Sequence, residues 1–138
     1  MKKLLILLFI TLTLLIQGCS CSEKTETTWH ENGQIMMVEE KYCKDGKEYG
    51  KSTQWYENGQ KWYEWNYRHG KFHGKQTMWH SNGQKSLETN YKSNKSKVIA
   101  VMMGAKLDGK QTGWHENGQI EAEAIYKDGK CISGDCVF

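Results

Sequence analysis

Histidine and glutamate, the residues from which metal sites and acid–base pairs are built, recur next to tryptophan in this chain. The two series are His30, His80 and His115, and Glu31, Glu57 and Glu116. If these positions lie in successive β-hairpins, equivalent side chains are two strands apart, or about 9–10 Å. One metal ion binds its ligands at about 2.1 Å and could not hold two of them. We therefore predict no metal site, no cofactor, no catalytic residue and no enzymatic activity.

Aromatic side chains offer another chemistry, which is stacking against a bound partner. Six of them crowd one short segment: Trp55, Tyr56, Trp62, Tyr63, Trp65 and Tyr67. They form either a core ladder or an exposed strip for a protein or glycan. In the second interpretation the candidate partner-binding residues are Tyr56, Trp62 and Trp65, with Tyr56 and Trp62 pointing outward.

These residues are positioned by a six-residue motif that occurs four times, a tryptophan followed after two residues by Asn-Gly-Gln. Its copies begin at Trp29, Trp55, Trp79 and Trp114. An aromatic strand residue leading into Asn-Gly is the strongest short-range signal of a β-hairpin. The recurrence at intervals of 26, 24 and 35 residues is typical of stacked supersecondary units.

The segments after each motif have the period of a strand. Tyr63 and Tyr67 flank Glu64, and the other copies place apolar and charged residues at the same offsets. Proline, which would interrupt a ladder, is absent. We predict an all-β fold, an elongated antiparallel meander of stacked β-hairpin repeats. Four repeats would occupy residues 29–138, with an insertion at 96–106.

The parity of the pattern favours one kind of Asn-Gly loop. A three-residue loop at 57–59, with Gly59 in the left-handed region, places Trp55 opposite Lys61 and on the same face as Tyr63. Burying tryptophan with tyrosine is worth about 1–3 kcal/mol, which favours this loop. The alternative is a two-residue loop and a sheet with aromatic residues on both faces. The insertion is expected to extend two strands, to cover an open sheet face or to protrude towards a partner.

Residues 1–18 are typical of an export signal helix. A basic start, Lys2 and Lys3, precedes an apolar run at 4–16 that is shorter than the ~20 residues of a membrane span. Without this segment, 17 lysine and arginine residues face 16 aspartate and glutamate residues. So balanced a charge gives no electrostatic reason to expect a nucleic-acid partner.

Residues 16–19 resemble a bacterial lipobox, and this resemblance implies cleavage before Cys19 and lipid attachment to it. A tether at 19–28 would then hold the protein to a membrane of the cell envelope, the outer membrane where there are two. Four cysteines remain, and an even number in an exported chain suggests disulfides. Cys131 with Cys136, and Cys21 with Cys43, are the predicted pairs; free thiols are the alternative.

The repeated Trp-x-x-Asn-Gly-Gln, the downstream Tyr-x-x-Gly-Lys and the Gly-Lys-x-His-Gly of residues 70–74 resemble the bacterial MORN-variant repeat family. The resemblance covers residues 29–130, and the family is often grouped as YwqK-type antitoxins. It implies an elongated hairpin sheet and, loosely, binding and neutralisation of a toxin. Our leading hypothesis is a lipid-anchored, non-enzymatic protein-binding or scaffold module. The alternatives are an antitoxin or immunity-type protein and a binder of cell-wall glycan.

Overall fold

The computed structural model of the protein describes residues 22–93 and 105–136. The predicted signal helix, Cys19, Cys21 and residues 94–104 of the insertion region lie outside this part. The described strands are β1 (Lys24–Trp29), β2 (Ile35–Lys44), β3 (Lys47–Trp55), β4 (Lys61–Arg68), β5 (Lys71–Phe72), β6 (Gly74–Trp79), β7 (Lys85–Ser93), β8 (Ala105–Leu107), β9 (Gly109–Trp114), β10 (Ile120–Lys127) and β11 (Lys130–Gly134). Within these ranges the chain forms no helix that is long and apolar enough to cross a membrane.

All eleven strands join one open antiparallel sheet. Its order is β1-β2-β3-β4-β6-β7-β9-β10-β11, with β5 beside β4 and β8 beside β7. Strands that follow one another in sequence are therefore neighbours in space, as in a meander of hairpins. The predicted all-β architecture is confirmed.

The Asn-Gly loops have the predicted length. The backbone N–H of Tyr56 donates to the Gln60 carbonyl at 2.9 Å, and that of Gly59 donates to the Tyr56 carbonyl at 2.9 Å. Gly59 has φ 80°, a value that suits glycine because other residues crowd their own Cβ there. The same bonds close the other copies, so four loops lie at one end of the strands, which we call the loop end. They span residues 31–33, 57–59, 81–83 and 116–118.

The opposite end of the strands carries two-residue turns. Asp45-Gly46, His69-Gly70 and Asp128-Gly129 have positive φ at both residues, the geometry that matches the twist of paired strands. In the third unit β7 and β8 replace this turn and pair as far as Ser93 and Ala105. The insertion therefore begins as an extension of these two strands, one of the expected outcomes.

A β-bulge follows each Asn-Gly loop and changes which side chains share a face. Trp55 is opposite Lys61, but Gln54 is opposite Tyr63, so Trp62 is the extra residue. Opposed residues share a face and successive residues alternate. Trp55 therefore lies on the face away from Tyr63, and the prediction that they share one was wrong. The sheet carries aromatic residues on both faces.

The two faces differ in chemistry. The aromatic face carries Tyr63, Trp65, Tyr67, Phe72, Met78, Leu87 and Tyr91. The charged face carries Lys51, Glu64, Lys75, Glu88, Lys110 and Glu123, together with the tryptophans that open the motifs. At the centre of the charged face, Thr53, Thr77 and Thr112 are buried by neighbouring strands of the same single layer.

Candidate functional site

Aromatic rings on the aromatic face form a continuous series across the central hairpins. Tyr63 stacks on Trp65 with centroids 4.1 Å apart, and Trp65 meets Phe72 edge-on at 5.2 Å. Phe72 contacts Tyr91 at 5.4 Å. Strand alternation places these residues on one side of the sheet. The short strand β5 pairs with β4 and carries Phe72 towards Tyr91 of β7.

A depression of about 370 Å³ opens beside this series. It is lined by Trp65, Phe72, Gln76, Met78, Leu87, Thr89 and Tyr91. The strand bends between β5 and β6 at Gly74, where φ is 75° and the ladder to β4 is interrupted. Phe72 and Met78 therefore flank a gap in the pairing rather than a continuous strand.

Gln76 closes the gap in the ladder with its side chain. Its Oε1 accepts the Asn66 backbone N–H at 2.7 Å, and its Nε2 donates to the Asn66 carbonyl at 2.9 Å. Because both ends of this amide are occupied, the depression presents a mainly apolar surface. We had not singled out Gln76 from the sequence. A signal exists in Gly-Lys-Gln-Thr, which occurs at 74–77 and again at 109–112.

A carboxylate lies on the β2 side of the aromatic face. Burial is the main cause that raises the pKa of Tyr67 to about 12, and the negative charge of Glu39 adds to it. Burial and Glu39 also raise the pKa of Tyr63. No described residue forms an ion pair with Glu39. A partner on this face would meet apolar rings with the carboxylate of Glu39 to one side.

The three residues predicted to bind a partner occupy different environments. Trp65 lines the depression. Trp62, the bulge residue, is 41% exposed and contacts Tyr56 and Tyr63 at 5.6 and 5.1 Å between centroids. Tyr56 is half-buried, and its hydroxyl donates to the Trp79 carbonyl at 2.9 Å. The structure thus joins all three to the aromatic series, but the Tyr56 hydroxyl serves the sheet itself.

In the first three copies, the residue after the motif tryptophan links its loop to the next one. His30 Nε2 lies 2.9 Å from the Trp55 carbonyl, and His80 Nε2 lies 2.8 Å from the Trp114 carbonyl. Tyr56 makes the equivalent bond. His30 and His80 are half-buried and His115 is exposed. From the sequence we excluded a shared metal ion for these histidines but did not identify their role in linking successive units.

The asparagine and glutamine of the motif add two further links in the same direction. Asn32, Asn58 and Asn82 donate through Nδ2 to the carbonyls of Glu57, Ser81 and Glu116, at 3.0, 2.8 and 2.8 Å. The glutamine of each loop lies over the glycine of the next. A Cβ on Gly118, for example, would lie 2.5 Å from Gln84 Oε1. Each loop therefore acts as donor to the loop that follows it.

The glutamates of the charged face are held by lysines. Glu64 accepts Lys51 and Lys61 at 3.1 and 3.0 Å, and Glu88 is held in the same way by Lys75 and Lys85. Lys61 also lies over the Trp79 ring, 5.4 Å from its centroid. The charged face therefore serves to connect neighbouring strands and hairpins.

The described cysteines are disulfide-bonded. Cys131 is joined to Cys136, with their Cα atoms 5.8 Å apart, at the end of β11. Cys43 is disulfide-bonded as well. Cys21 and Cys19 lie outside the described residues, so the Cys21–Cys43 pair and the lipid on Cys19 stay predictions. Within the described ranges, no three His, Cys, Asp or Glu residues are grouped so that they could hold a metal ion.

Comparison with protein families identifies repeats in this sheet. The model of the MORN repeat variant matches residues 48–69, 72–93 and 107–128. Each match covers one loop motif with the strands on both sides, and the first motif lies outside the matches. Repeats of this class are commonly binding or scaffold modules and are generally non-enzymatic. No curated protein and no solved structure matches the chain.

Proposed function

We propose that this array of MORN-variant repeats is a lipid-anchored, non-enzymatic module that binds a partner protein at the depression on its aromatic face. The observation that supports it is the aromatic series from Trp62 to Tyr91, most of it half-buried, with the apolar depression beside it. Contiguous apolar surface that stays partly exposed is typical of interaction sites. Aromatic anchors that fill pockets contribute much of the binding energy at protein interfaces.

The chemistry of the depression favours a protein segment over a glycan. Sugar hydroxyls that leave water need hydrogen-bond partners. The Gln76 amide is occupied by Asn66, and Thr89 is buried. A segment with apolar side chains and a neighbouring lysine or arginine fits better, because the basic group can approach Glu39.

The proposed attachment to a membrane is supported by the sequence, in which the predicted export signal at residues 1–18 directly precedes Cys19. Cells grown with labelled palmitate should label the full-length chain. The label should be lost in Cys19→Ala and retained in Cys21→Ser, the matched control two residues away. Label that persists in Cys19→Ala would exclude Cys19 as the site of lipid attachment, and the binding proposal does not depend on this result.

The binding proposal is tested with a partner recovered by crosslinking intact envelopes and then purified. Phe72→Ala should weaken its affinity at least tenfold, because the ring lies at the centre of the aromatic series. Tyr42→Ala is the matched control, since Tyr42 is 40% exposed and opposite Tyr49 on the charged face. Its affinity should stay within twofold of the parent.

Two results would contradict this assignment. One is an unchanged affinity of Phe72→Ala for the purified partner. The other is saturable binding of purified wall polymer that Phe72→Ala abolishes, which would establish the glycan alternative.

A further inference from the structure

The loops at the loop end are asymmetric, and this leaves complementary groups at the two ends of the array. The second and third loops each act as donor to the next loop and as acceptor for the previous one. The fourth loop carries the donors His115 and Asn117, and its glutamine Gln119 accepts the Asn117 Nδ2 at 3.3 Å through Oε1. No later loop follows it among the described residues. His115 and Gln119 are exposed.

The first loop offers the matching acceptors. Its carbonyls of Trp29 and Glu31 correspond to those that accept the links in the other loops. Its glycine, Gly33, has no atom within 4 Å of the place where a Cβ would stand. The equivalent glycines of the other three loops are each covered by a glutamine. The space over Gly33 can therefore accommodate a glutamine side chain such as that of Gln119.

Apolar residues at the two ends complement each other too. Lys61 and Lys85, which follow the motif glutamine, lie over the tryptophan of the next copy. The residue at this position in the fourth copy is Ile120, which is 57% exposed. The tryptophan of the first copy, Trp29, is 60% exposed. Placed as the lysines are, Ile120 would cover the Trp29 ring of another molecule.

No described strand pairs with the strand edges needed for such a contact. β11 pairs with β10 only from Ala124 onward, and beyond it the Asp135 N–H donates to the Glu123 carbonyl. The Cα atoms of Cys131 and Cys136 are 5.8 Å apart, whereas two Cα atoms separated by five residues in an extended strand would lie about 16 Å apart. The chain curls back there, and no described strand pairs with residues 120–122 on that side. β1 is the outermost described strand at the other end.

We propose that a second copy of this chain docks head to tail, with the fourth Asn-Gly loop of one molecule on the first loop of the next. His115 and Asn117 would donate to the Trp29 and Glu31 carbonyls of the neighbour, Gln119 would cover its Gly33, and Ile120 would cover its Trp29. β1 of the neighbour would continue the sheet beside residues 120–122. Because the two surfaces differ, the contact is heterologous and does not stop at a symmetric dimer, so it adds further copies as a row, or as a ring where the rotation between copies closes.

The test uses two full-length copies with different affinity tags, expressed together and purified in detergent through one tag. The second tag should be recovered with the first. Trp29→Ala in both copies and Ile120→Asp in both copies should each lower this recovery at least fivefold. Ile125→Asp should leave it unchanged, because Ile125 is 45% exposed on the same strand but outside the contact.

Substitutions that introduce the residue found at the same position of another motif copy distinguish specific docking from non-specific hydrophobic association. Ile120→Lys should retain the recovery, since Lys61 and Lys85 make this contact within the chain. His115→Tyr should retain it as well, because Tyr56 makes the equivalent bond. Equal recovery for Trp29→Ala and the parent, no recovery of the unsubstituted pair, or a loss in Ile120→Lys as large as in Ile120→Asp would each overturn the proposal.

A second measurement does not depend on destabilising variants. A photoreactive benzoylphenylalanine in place of Ile120 should give a product of two chain masses, joined near residue 29 of the other copy. A crosslink that maps to a different region, or the absence of any crosslinked dimer, would contradict the head-to-tail contact.

Discussion

At the scale of single residues, the glutamates of the charged face show burial and ion pairing in competition. Burial, the largest single influence, would raise the pKa of Glu64. Hydrogen bonds and charge from Lys61 and Lys51 together outweigh it, so the pKa lies below its ordinary value. Glu88 shows the same balance with Lys85 and Lys75. These ion pairs therefore stabilise the folded sheet in a pH-dependent way.

The sign of that dependence follows from the lowered pKa. The contribution is complete above the ordinary glutamate value of 4.5 and is lost as pH falls through the lower folded-state pKa. The double variant Glu64→Gln, Glu88→Gln should lower the free energy of unfolding at pH 7 by about 1 kcal/mol, a small value because the groups are partly exposed. At pH 3 the difference from the parent should shrink.

Urea titration at both pH values measures this difference. Glu121→Gln, which changes an exposed glutamate of β10, should match the parent within about 0.5 kcal/mol. A destabilisation by the double variant that is as large at pH 3 as at pH 7 would assign the effect to packing instead of charge.

At the scale of elements, the loops act as connectors between hairpins as well as turns within them. The variation among copies supports this, because histidine and tyrosine occupy the position after tryptophan and make the same bond to the next tryptophan carbonyl. The two side chains differ in chemistry, but both bring a polar atom within hydrogen-bonding distance of that carbonyl. What is preserved across the copies is the contact.

A substitution at this position should therefore depend on hydrogen-bonding capacity. Tyr56→Phe should lower the free energy of unfolding by about 1 kcal/mol, because it leaves the Trp79 carbonyl without its donor. Tyr56→His should cost less than about 0.5 kcal/mol, because His30 and His80 occupy equivalent places. Guanidinium unfolding compares the two. Equal stabilities for both variants would show that the ring, and not the bond, is what matters.

The positions of the loops can be predicted from the sequence, but the positions of the bulges cannot. Asn-Gly and the alternation of Tyr63 and Tyr67 are local patterns, so the hairpin array was predictable. The length of the three-residue loop was predicted correctly, but from a shared face of Trp55 and Tyr63 that the structure does not have. The bulge residue is Trp62 in the second unit, Ser86 in the third and Glu121 in the fourth, three residue types with no shared chemistry. No residue type marks this position, and one extra residue reverses the face of every side chain beyond it. The assignment of Trp55 to the tyrosine face failed for this reason.

The candidate site was predictable only in part. The crowding of aromatic residues identified Trp62 and Trp65, which are local in sequence. Phe72 and Tyr91 join them through strand pairing over longer separations. The role of Gln76 depends on an interruption of the ladder between β4 and β6, which arises from tertiary geometry.

At the scale of the whole molecule, the sheet is a quasi-one-dimensional array in which each hairpin contacts its neighbours. Stability in such arrays is close to a sum of unit and interface contributions. A substitution near one end should therefore loosen that end, whereas a central one should weaken the entire sheet. Tyr63 in the centre and Tyr126 near one end are both buried and allow a matched comparison.

Tyr63→Ala should lower the global free energy of unfolding by about 3 kcal/mol. Tyr126→Ala should instead speed hydrogen exchange of the β10 and β11 amides and leave those of β3 and β4 within about threefold of the parent. Exchange monitored by mass spectrometry distinguishes the two. Uniform acceleration across all strands in Tyr126→Ala would show that the array unfolds as one cooperative unit.

The contacts between loops, in which each loop donates only to the loop that follows it, also affect which insertions and deletions the gene for such a protein can tolerate. Because the middle loops present the same donors forwards and the same acceptors backwards, an in-frame duplication of one unit adds a module that finds its contacts on both sides. A deletion of one unit rejoins matching surfaces in the same way. Extra sequence at the opposite end of the strands, as between β7 and β8, leaves these contacts intact. Length can thus vary by whole modules while the chemistry of each junction stays the same.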